Sequence, residues 1–448
     1  MESLGGDDAA VDPGSAAVAT LGRAVPDVDT GAALAELPRP TVAWSEDGQQ
    51  VAAGGSAVTV TADGADRFET VKESGQDLFA DGHVESSLPE YARPRLFGGF
   101  AFHGGDNANG DSPWAGFPDA MFVLPAVLVV TPPEGSTWLV ASAAGPNAER
   151  RAQSRLETWA ERLAAARPPE TSGPPGVRSR TSTPDEVGWR EQVEAAVDRI
   201  QSGTLRKVVL AQAQTVELEG AVSVPSVYGR LTETYPDCFR FLVAPEEGGQ
   251  FFGATPERLV SRDGRTVRTD ALAGSTGRGD TPAEDEWLAR ELQDSEKDSH
   301  EHDLVVEAIK EQLEPFATSI STGDRTVRRL ATVQHLWTPV TADLAEDDHV
   351  LSLVEALHPT PAVGGLPPDV ALRTIKETEA FERGWYASPV GWFDAAGNGT
   401  FAVAIRSAVA DGERATLFAG NGIVGDSDPD CEWDEVQLKY RPVLDALE

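Results

Sequence analysis

The sequence predicts an α+β protein, and three observations lead to that class. The chain has 448 residues, of which 40% are hydrophobic, so it can bury a sizeable core in two or three domains or in one large unit. Short stretches of alternating apolar residues indicate strands, and longer amphipathic stretches indicate helices. The two kinds of stretch do not follow the regular βαβ order of a doubly wound parallel sheet, and no internal sequence repeat is visible.

The first part of the chain, residues 1–175, is rich in predicted strands. Its beginning, residues 1–30, consists largely of Asp, Ala and Gly and predicts little regular structure. Strands are predicted at 56–61, 97–102, 122–131 and 137–142, and a helix at 149–166. The Pro- and Gly-rich segment 167–176 is typical of a linker.

The second part, residues 185–448, mixes helices and strands. A helix is predicted at 184–201, which Gly203 ends, and a strand follows at 207–215. Asp263 and Gly264 predict a hairpin turn. Further helices are expected at 224–234 and 284–314, and further strands at 240–243, 251–252 and 259–261.

Negative charge is the most unusual bulk property, because 73 acidic residues against 37 basic ones give a net charge of −36. Such a field repels nucleic acid and anionic lipid, so we expect neither as a partner. The acidic residues are spread along the chain, which favours a surface adapted to high salt over a docking site for a cationic partner. Six of the basic residues are lysines, so a lysine in an apolar setting stands out.

The sequence also predicts a soluble, cytoplasmic protein. Residues 1–10 are acidic and lack the apolar core of a signal peptide. The longest apolar run, 121–130, is interrupted by Pro125 and is too short to cross a bilayer. Cys238 and Cys431 can form neither a disulfide framework nor a metal cluster by themselves.

Two titratable residues lie in positions that suit acid–base chemistry. Lys207 begins the apolar stretch Val208-Val-Leu-Ala211, and burial favours the neutral amine that can act as a general base. The alternative is a lysine on an edge strand that reaches solvent. Glu257 follows Thr255-Pro256 at the start of a predicted strand, and the alternative for this residue is a solvated turn position.

Three glutamates can supply oxygen ligands to a hard cation. Glu432 and Glu435 are three residues apart, so they share one face of a C-terminal helix. Glu301 lies within the predicted helix 284–314. Magnesium prefers oxygen ligands and keeps several waters, so two or three carboxylates suffice to bind it. From spacing alone, the competing interpretation is three surface acids in an acidic protein.

Ten short segments occur in an order that is characteristic of one family. They are Arg206-Lys-Val-Val-Leu-Ala211, Phe252-Gly-Ala-Thr-Pro-Glu-Arg-Leu259, Leu272-Ala-Gly-Ser-Thr276, Glu301-His-Asp-Leu-Val-Val306, Val333-Gln-His-Leu336, His358-Pro-Thr-Pro-Ala-Val-Gly-Gly365, Arg383-Gly-Trp-Tyr-Ala-Ser-Pro-Val-Gly-Trp392, Ala404-Ile-Arg406, Phe418-Ala-Gly-Asn-Gly-Ile-Val424, and Glu432-Trp-Asp-Glu435 with Lys439. From about residue 187 to its end, the chain thereby resembles the chorismate-binding enzymes. The first 180 residues match less, apart from 97–102.

The resemblance implies a fold and a set of catalytic roles. The expected fold is that of anthranilate synthase component I, with two large antiparallel sheets packed at the core and helices outside. Residues 1–175 would form a strand-rich region of that fold and 185–448 the catalytic region. In the resembling enzymes the residue matching Lys207 activates water, and the residue matching Glu257 protonates the departing hydroxyl. The glutamates matching Glu301, Glu432 and Glu435 hold Mg²⁺ there.

The resemblance also implies a set of substrate-binding residues for chorismate, which carries two carboxylates. Arg406 and Lys439 are the expected carboxylate partners, since arginine can bind a carboxylate bidentately and lysine acts as a point charge. Tyr386 resembles the residue that helps to hold the enolpyruvyl carboxylate. Glycine lets backbone N–H groups approach an anion closely. The remaining expected contacts in the matching segments are Gly274, Ser275, His335, His358, Gly420 and Gly422.

Two positions indicate which reaction of the family to expect. Amine-adding members resemble one another in placing Gln where this chain has Lys207, and a lysine suits water as the nucleophile. Aminodeoxychorismate synthases often carry a lysine where this chain has Ala273. We therefore expect isochorismate formation. Salicylate synthase is the alternative, followed by an anthranilate synthase large subunit and, outside the enzymes, by a non-catalytic chorismate-binding subunit. The sequence leaves open a menaquinone or siderophore pathway and a monomer or dimer.

Overall fold

The computed structural model of the protein describes residues 17–80, 82–105, 112–167 and 173–448. The acidic stretch 1–10 and residues 168–172, half of the predicted linker 167–176, therefore lie outside the described residues. A short 3₁₀ helix, Glu90–Ala92, accompanies the α-helices and strands.

Ten helices and 21 strands are found in the described residues. The helices are α1 Thr30–Glu36, α2 Arg67–Ala80, α3 Ala148–Ala165, α4 Glu186–Gln201, α5 Val224–Thr234, α6 Pro282–Asp294, α7 Glu296–Leu313, α8 Val350–Leu357, α9 Pro368–Thr378 and α10 Pro429–Leu444. The strands are β1 Val18–Ala24, β2 Thr41–Glu46, β3 Gln49–Ala62, β4 His83–Val84, β5 Arg95–Phe100, β6 Ala120–Thr131, β7 Trp138–Ala144, β8 Val177–Thr183, β9 Lys207–Leu218, β10 Phe239–Ala244, β11 Gln250–Thr255, β12 Arg258–Asp263, β13 Thr266–Gly277, β14 Ala317–Thr322, β15 Thr326–Arg329, β16 Val333–Leu344, β17 Gly365–Leu366, β18 Pro389–Asp394, β19 Gly399–Val403, β20 Ser407–Asp411 and β21 Arg414–Ile423.

The strands form large antiparallel sheets; among the described residues, β1 with β4 is the one parallel pairing. One run of neighbours passes from β8 through β9, β21, β20, β11, β10 and β2 to β3. A second run passes from β6 through β5, β18, β19, β12 and β13 to β16. The long strands β3 and β6 pair with each other and join the two runs. The α+β class and the antiparallel sheets are confirmed.

Strands from the two halves of the sequence pair directly with each other. Strand β2 runs antiparallel to β10, and β5 runs antiparallel to β18. Close packing depends on glycine in β5, because a Cβ on Gly98 would lie 1.8 Å from the carbonyl oxygen of Met121 on β6. One large apolar cluster extends through both halves. The segment 167–176 thus joins two regions that share sheets and a core.

The helices agree with the sequence in most places and differ from it in one. The predictions at 149–166, 184–201 and 224–234 are confirmed by α3, α4 and α5. The single helix predicted at 284–314 is wrong, because the chain breaks at Ser295 into α6 and α7. Ser295 has extended backbone angles (φ −66°, ψ 117°), and its hydroxyl accepts a hydrogen bond from the N–H of Asp298, as an N-cap serine does. Helix α7 therefore has its own defined beginning.

Within the described residues, no helix is both long and apolar enough to span a membrane.

Candidate functional site

Almost all of the predicted site residues line one cavity of about 90 Å³. The members are Lys207, Glu257, Gly274, Ser275, Glu301, His335, Tyr386, Arg406, Gly420, Gly422, Glu432, Glu435 and Lys439. They come from β9, β13, β16, β21, α7, α10 and the loops next to β12, β18 and β20. Segments far apart in the sequence thus meet around one small, strongly charged space.

Lys207 is an almost fully buried lysine at the beginning of β9. Its side chain is 1% exposed, and its Nζ lies 2.8 Å from Oε1 of Glu301 on α7. Gly422 on the neighbouring strand β21 leaves the room for this ion pair. A Cβ on Gly422 would lie 2.7 Å from Oε1 of Glu301 and 2.8 Å from Cε of Lys207. The edge-strand alternative for Lys207 is excluded by its burial.

Glu257 is a buried carboxyl group that holds its proton near neutral pH. Burial raises the pKa of Glu257 to about 8, the positive charges of Lys207 and Arg406 oppose this rise, and the negative charge of Asp270 adds to it. A buried carboxyl group of this kind can donate a proton at pH 7. The solvated-turn alternative for Glu257 is excluded, because the residue is 3% exposed.

Each of the three predicted metal ligands is paired with a lysine. The pairs are Glu301 with Lys207 at 2.8 Å, Glu435 with Lys439 at 2.7 Å, and Glu432 with Lys297 at 3.9 Å. The site thus uses three of the six lysines of the chain. In the part of the chain that the structure describes, no group of three or more His, Cys, Asp or Glu side chains is arranged to hold a metal ion. Convergence of the three glutamates on one Mg²⁺ stays a prediction.

Glu432 occupies a buried and acidic environment that a divalent cation would stabilise. Its Oε1 accepts a hydrogen bond from the Ser427 hydroxyl at 2.7 Å, and its Oε2 accepts one from Nδ2 of Asn421 at 3.0 Å. Burial and the nearby charge of Glu435 raise the pKa of Glu432 to about 7. Two carboxylates crowded in a region of low polarity need positive charge, and Mg²⁺ prefers such oxygen donors. The residues present therefore fit the predicted ion.

Arg406 presents an unpaired N–H group inside the protein. Its side chain is buried, and its Nε has no hydrogen-bond partner among the described residues. The backbone at Arg406 has a φ of +53°, a left-handed conformation that is costly for a residue with a side chain and that clusters at functional sites. An anionic group in the cavity would supply the missing acceptor. The prediction that Arg406 binds a carboxylate fits this geometry.

The imidazole of His335 connects Arg406 with the bulge in β13. Nη2 of Arg406 lies 3.4 Å from Nε2 of His335, and Oγ of Ser275 lies 2.7 Å from Nδ1. Because arginine only donates, Nε2 must accept, and the proton of the neutral ring resides on Nδ1. Burial and the charges of Arg406 and Lys439 hold the pKa of His335 well below its usual range. Gly274, with a φ of +76°, forms the bulge that turns Ser275 towards this ring.

Tyr386 and Gly420 form another part of the cavity wall. The Tyr386 ring stacks on Phe418 with centroids 5.4 Å apart. A Cβ on Gly420 would lie 2.8 Å from the carbonyl oxygen of Leu210 and 3.1 Å from the hydroxyl of Tyr386. Gly420 therefore permits close approach of β9 and of the tyrosine hydroxyl.

Lys439 lines the cavity, but protein groups already accept its hydrogen bonds. Its Nζ donates to the carbonyl oxygen of Gly420 at 2.9 Å and to Oδ1 of Asn421 at 2.8 Å, and it also pairs with Glu435. The predicted contact of Lys439 with a substrate carboxylate therefore requires that one of these partners be released.

His358 is the one predicted site residue that does not line the cavity. Its ring is packed edge-on against Phe102, and its Nε2 lies 3.3 Å from the carbonyl oxygen of the same residue. Burial and the nearby charge of Arg67 lower the pKa of His358 to about 3. The segment 358–365 does reach the site, but through Ala362 and Val363. His358 is therefore a half-buried residue that packs against Phe102 outside the cavity.

Three further charged residues line the site but were not among the predicted ones: Lys297, Asp298 and Arg383. Lys297 lies one helical turn before Glu301 on α7, so the i, i+4 spacing of the two residues could have identified it. Arg383 is buried beside the cavity, donates from Nη2 to the carboxylate of Glu379 at 2.5 Å and contacts the carbonyl oxygen of Val209 at 2.8 Å. Arg383 begins one of the ten segments that carry the family resemblance, so its place in that segment could have identified it.

A larger cavity of about 640 Å³ lies elsewhere and does not have the same chemistry. It is lined by residues of β9, β20 and β21 and of the segment 112–115. Its basic residue, Arg414, is exposed and pairs with Glu217 on the surface. Among the described residues that line it, no buried acid–base pair is present. The small charged cavity is therefore the candidate active site.

Comparison with known proteins identifies relatives along nearly the whole chain. The profile of the family described as "Chorismate binding enzyme" matches residues 12–448. A salicylate biosynthesis isochorismate synthase from Pseudomonas aeruginosa is 40% identical over 414 residues, which cover 91% of this chain and 85% of that protein. The isochorismate synthase MenF of Bacillus subtilis is 34% identical over 388 residues, covering 85% of this chain and 80% of that protein.

Solved structures show the same fold. MenF, the menaquinone-specific isochorismate synthase from Escherichia coli, superposes with a TM-score of 0.81 at 25% identity and covers 97% of this chain and 96% of its own. Anthranilate synthase component I from Streptococcus pneumoniae superposes with a TM-score of 0.70 at 21% identity, covering 99% of this chain and 95% of its own. The predicted component I-like fold is confirmed.

Proposed function

Because the chain belongs to the family of chorismate-binding enzymes, we propose that it is an isochorismate synthase. The observation that carries the proposal is the meeting in one cavity of buried Lys207 and buried Glu257, whose pKa burial raises to about 8. Both relatives named above are isochorismate synthases. To replace a hydroxyl group by water, an enzyme needs a base that activates the water and an acid that protonates the departing hydroxyl. This cavity contains a candidate for each.

The reaction adds water at C2 of chorismate and expels the hydroxyl from C4. Neutral Lys207 takes a proton from the attacking water as its oxygen bonds to C2. The ring double bonds shift, the C4–O bond breaks, and Glu257 donates its proton to the departing hydroxyl. Water is consumed and released, so chorismate and isochorismate have the same composition. Before the amine can act as the base, the ion pair of Lys207 with Glu301 must open and the ammonium of Lys207 must release a proton to solvent.

Substrate anchoring falls to the positive groups of the cavity. The unpaired Nε of Arg406 offers a donor to a substrate carboxylate, and a charge-assisted contact of this kind is strong in a buried site. Lys439 offers a second positive charge once Glu435 engages another partner. The hydroxyl of Tyr386 lies beside Gly420 on the same wall. These groups fix the ring between the base and the acid.

Mg²⁺ would be held by Glu301, Glu435 and Glu432, which line the same cavity. When bound, the ion neutralises a substrate carboxylate and orients the ring. Binding of the ion requires ionised carboxylates, whereas proton donation requires that Glu257 keep its proton, which its raised pKa of about 8 favours.

Product chromatography tests the proposal. The purified chain with chorismate and Mg²⁺ should produce isochorismate, and chelation of Mg²⁺ should stop the reaction. Salicylate together with pyruvate would identify the two-step alternative instead. Consumption of chorismate only in the presence of ammonium would identify an amine-adding enzyme. Binding of chorismate without any product would identify a non-catalytic subunit.

A further inference from the structure

Asn421 lies behind the cavity and contacts two of the charged groups that line it. It belongs to β21, between Gly420 and Gly422, and is 1% exposed. Its Nδ2 donates to the backbone oxygen of Glu432 at 2.7 Å and to Oε2 of the same residue at 3.0 Å. Its Oδ1 accepts a hydrogen bond from Nζ of Lys439 at 2.8 Å. One amide thus binds a carboxylate with one end and an ammonium with the other.

The chemistry of this position requires an amide. An amide has both a donor and an acceptor, so it satisfies Glu432 and Lys439 at once. A carboxylate at 421 would repel Glu432, and an apolar side chain would take one buried hydrogen-bond partner from each of the two charged groups. Both contacts are made to α10, where Glu432 and Lys439 lie seven residues apart on one face. Asn421 therefore fixes this face of α10 against β21.

We propose that Asn421 is a positioning residue that prepares Glu432 and Lys439 for the bound cation. This inference rests on the proposed function and on the predicted Mg²⁺ site. Asn421 and the Ser427 hydroxyl hold the two oxygens of Glu432 in fixed directions. Asn421 also keeps the ammonium of Lys439 beside Gly420. The cation then meets an oriented carboxylate, and the lysine stays directed along the wall of the cavity.

The contacts of Asn421 distinguish a role in positioning Glu432 and Lys439 from a role in stabilising the fold. Asn421 does not line the cavity, so it acts only through the two residues that it holds. Groups that orient a metal ligand in this way typically change metal affinity by about 10- to 100-fold when they are removed. A role limited to stability would lower the resistance to urea and leave the affinity for the ion unchanged.

Calorimetric titration with Mg²⁺ alone tests the inference on the full chain. The variants are Asn421→Leu, which has a similar shape without polar atoms, and Asn421→Ser, which keeps a small polar group if the leucine variant does not fold. Asn398→Leu is the matched control, because Asn398 binds Asp394 and the N–H of Gly264 in turns away from the cavity. Circular dichroism checks that each variant is folded.

We expect the dissociation constant for Mg²⁺ to rise by about 10- to 100-fold in the Asn421 variants and to stay at the wild-type value in the control. The Mg²⁺ concentration for half-maximal activity should rise in parallel, with kcat preserved at saturating Mg²⁺. An unchanged dissociation constant in a folded Asn421 variant overturns the inference. Wild-type protein that makes isochorismate without saturable Mg²⁺ binding also overturns it while the proposed function stands. Wild-type protein that binds Mg²⁺ without making isochorismate defeats the function instead.

Discussion

At the scale of single residues, Gly422 shows how a missing side chain can create a catalytic site. The position of its Cβ is already filled by Oε1 of Glu301 at 2.7 Å and Cε of Lys207 at 2.8 Å. The backbone of Gly422 does not have a positive φ, so alanine is harmful there only through this overlap. The added methyl group must push the Lys207–Glu301 pair apart.

Gly422→Ala should therefore lose activity while the fold persists. We expect kcat/KM to fall by at least about 100-fold, because a positioned general base contributes 10²- to 10⁴-fold. The control is Gly220→Ala, where a Cβ meets nothing within 4 Å. Steady-state kinetics of both variants checks this expectation, and wild-type activity in Gly422→Ala would contradict the tight packing around Lys207.

Lys207→Gln tests the base directly, because it introduces the residue of the amine-adding enzymes. Glutamine cannot accept the proton of the attacking water, so isochorismate formation should fall by about 10²- to 10⁴-fold. Lys310→Gln is the control, since Lys310 is a half-exposed lysine paired with Glu307 on the surface. Chromatography of the products with and without ammonium measures both possible nucleophiles. Water addition at the wild-type rate would remove Lys207 from the mechanism.

Glu257 should give the enzyme a characteristic dependence on pH. Its pKa is raised from 4.5 to about 8 by burial, and the protonated form is the one that donates a proton. Activity that depends on Glu257 should therefore fall as the pH rises through about 8. Glu257→Gln cannot donate this proton and should be inactive throughout.

Glu257 should also make the free energy of unfolding decrease as the pH rises. Between pH 4.5 and about 8 the unfolded carboxyl group is ionised and the folded one is protonated, so the folded state binds more protons and loses stability as the pH rises. Glu257→Gln removes this loss. In urea unfolding, the free energy of unfolding of the variant minus that of the wild type should increase from pH 5 to pH 8. A difference that stays constant over this range would contradict the raised pKa of Glu257.

At the scale of elements, the break at Ser295 places the beginning of α7 next to the active site. Lys297 and Glu301 follow within two turns of this N-cap, so the cap fixes where both side chains start. The hydroxyl of Ser295 accepts the N–H of Asp298 at 3.1 Å. A helix continuing through 295 would place these charges differently.

Ser295→Ala should cost about 1 kcal/mol of unfolding free energy, as the loss of an N-cap does, and should also lower kcat/KM. Asp29→Ala is the matched control, because Asp29 caps α1 through the N–H of Ala32 and none of its contacts reaches the cavity. The control should lose similar stability in urea without losing activity. Equal activities in the two variants would show that the cap serves only the fold.

The elements that the sequence predicts well are those whose signal is local. Helices α3, α4 and α5 follow from apolar spacing and caps within one segment. The break at Ser295 was missed although the sequence carries a local signal for it, since the N-cap serine is followed by Glu296 and Asp298 in the first turn of α7. The pairings of β2 with β10 and of β5 with β18 join residues far apart in sequence, and no local pattern encodes them. The pairs Lys207–Glu301 and Lys297–Glu432 also join residues far apart in sequence, whereas Lys439 and Glu435 are four residues apart on α10.

At the scale of the whole molecule, the site is a small region of balanced charge within a strongly acidic chain. Each lysine at the cavity has a glutamate partner, whereas the chain as a whole carries 73 acidic and 37 basic residues. Several surface arginines, such as Arg190 and Arg329, form ion pairs, but exposed pairs of this kind contribute little. Most of the excess negative charge is therefore screened only by ions in the solvent.

We therefore expect salt to stabilise the folded protein. Like charges spread over a compact surface repel each other more than in the extended unfolded chain, so screening favours the folded state. The screening length falls from about 10 Å at 0.1 M salt to about 3 Å at 1 M, so the urea midpoint should rise steeply with KCl over this range. Sucrose at matched osmolality is the control, because it stabilises through exclusion from the surface without screening charge. A midpoint that responds equally to KCl and to sucrose would show that repulsion between the carboxylates does not limit the stability of this chain.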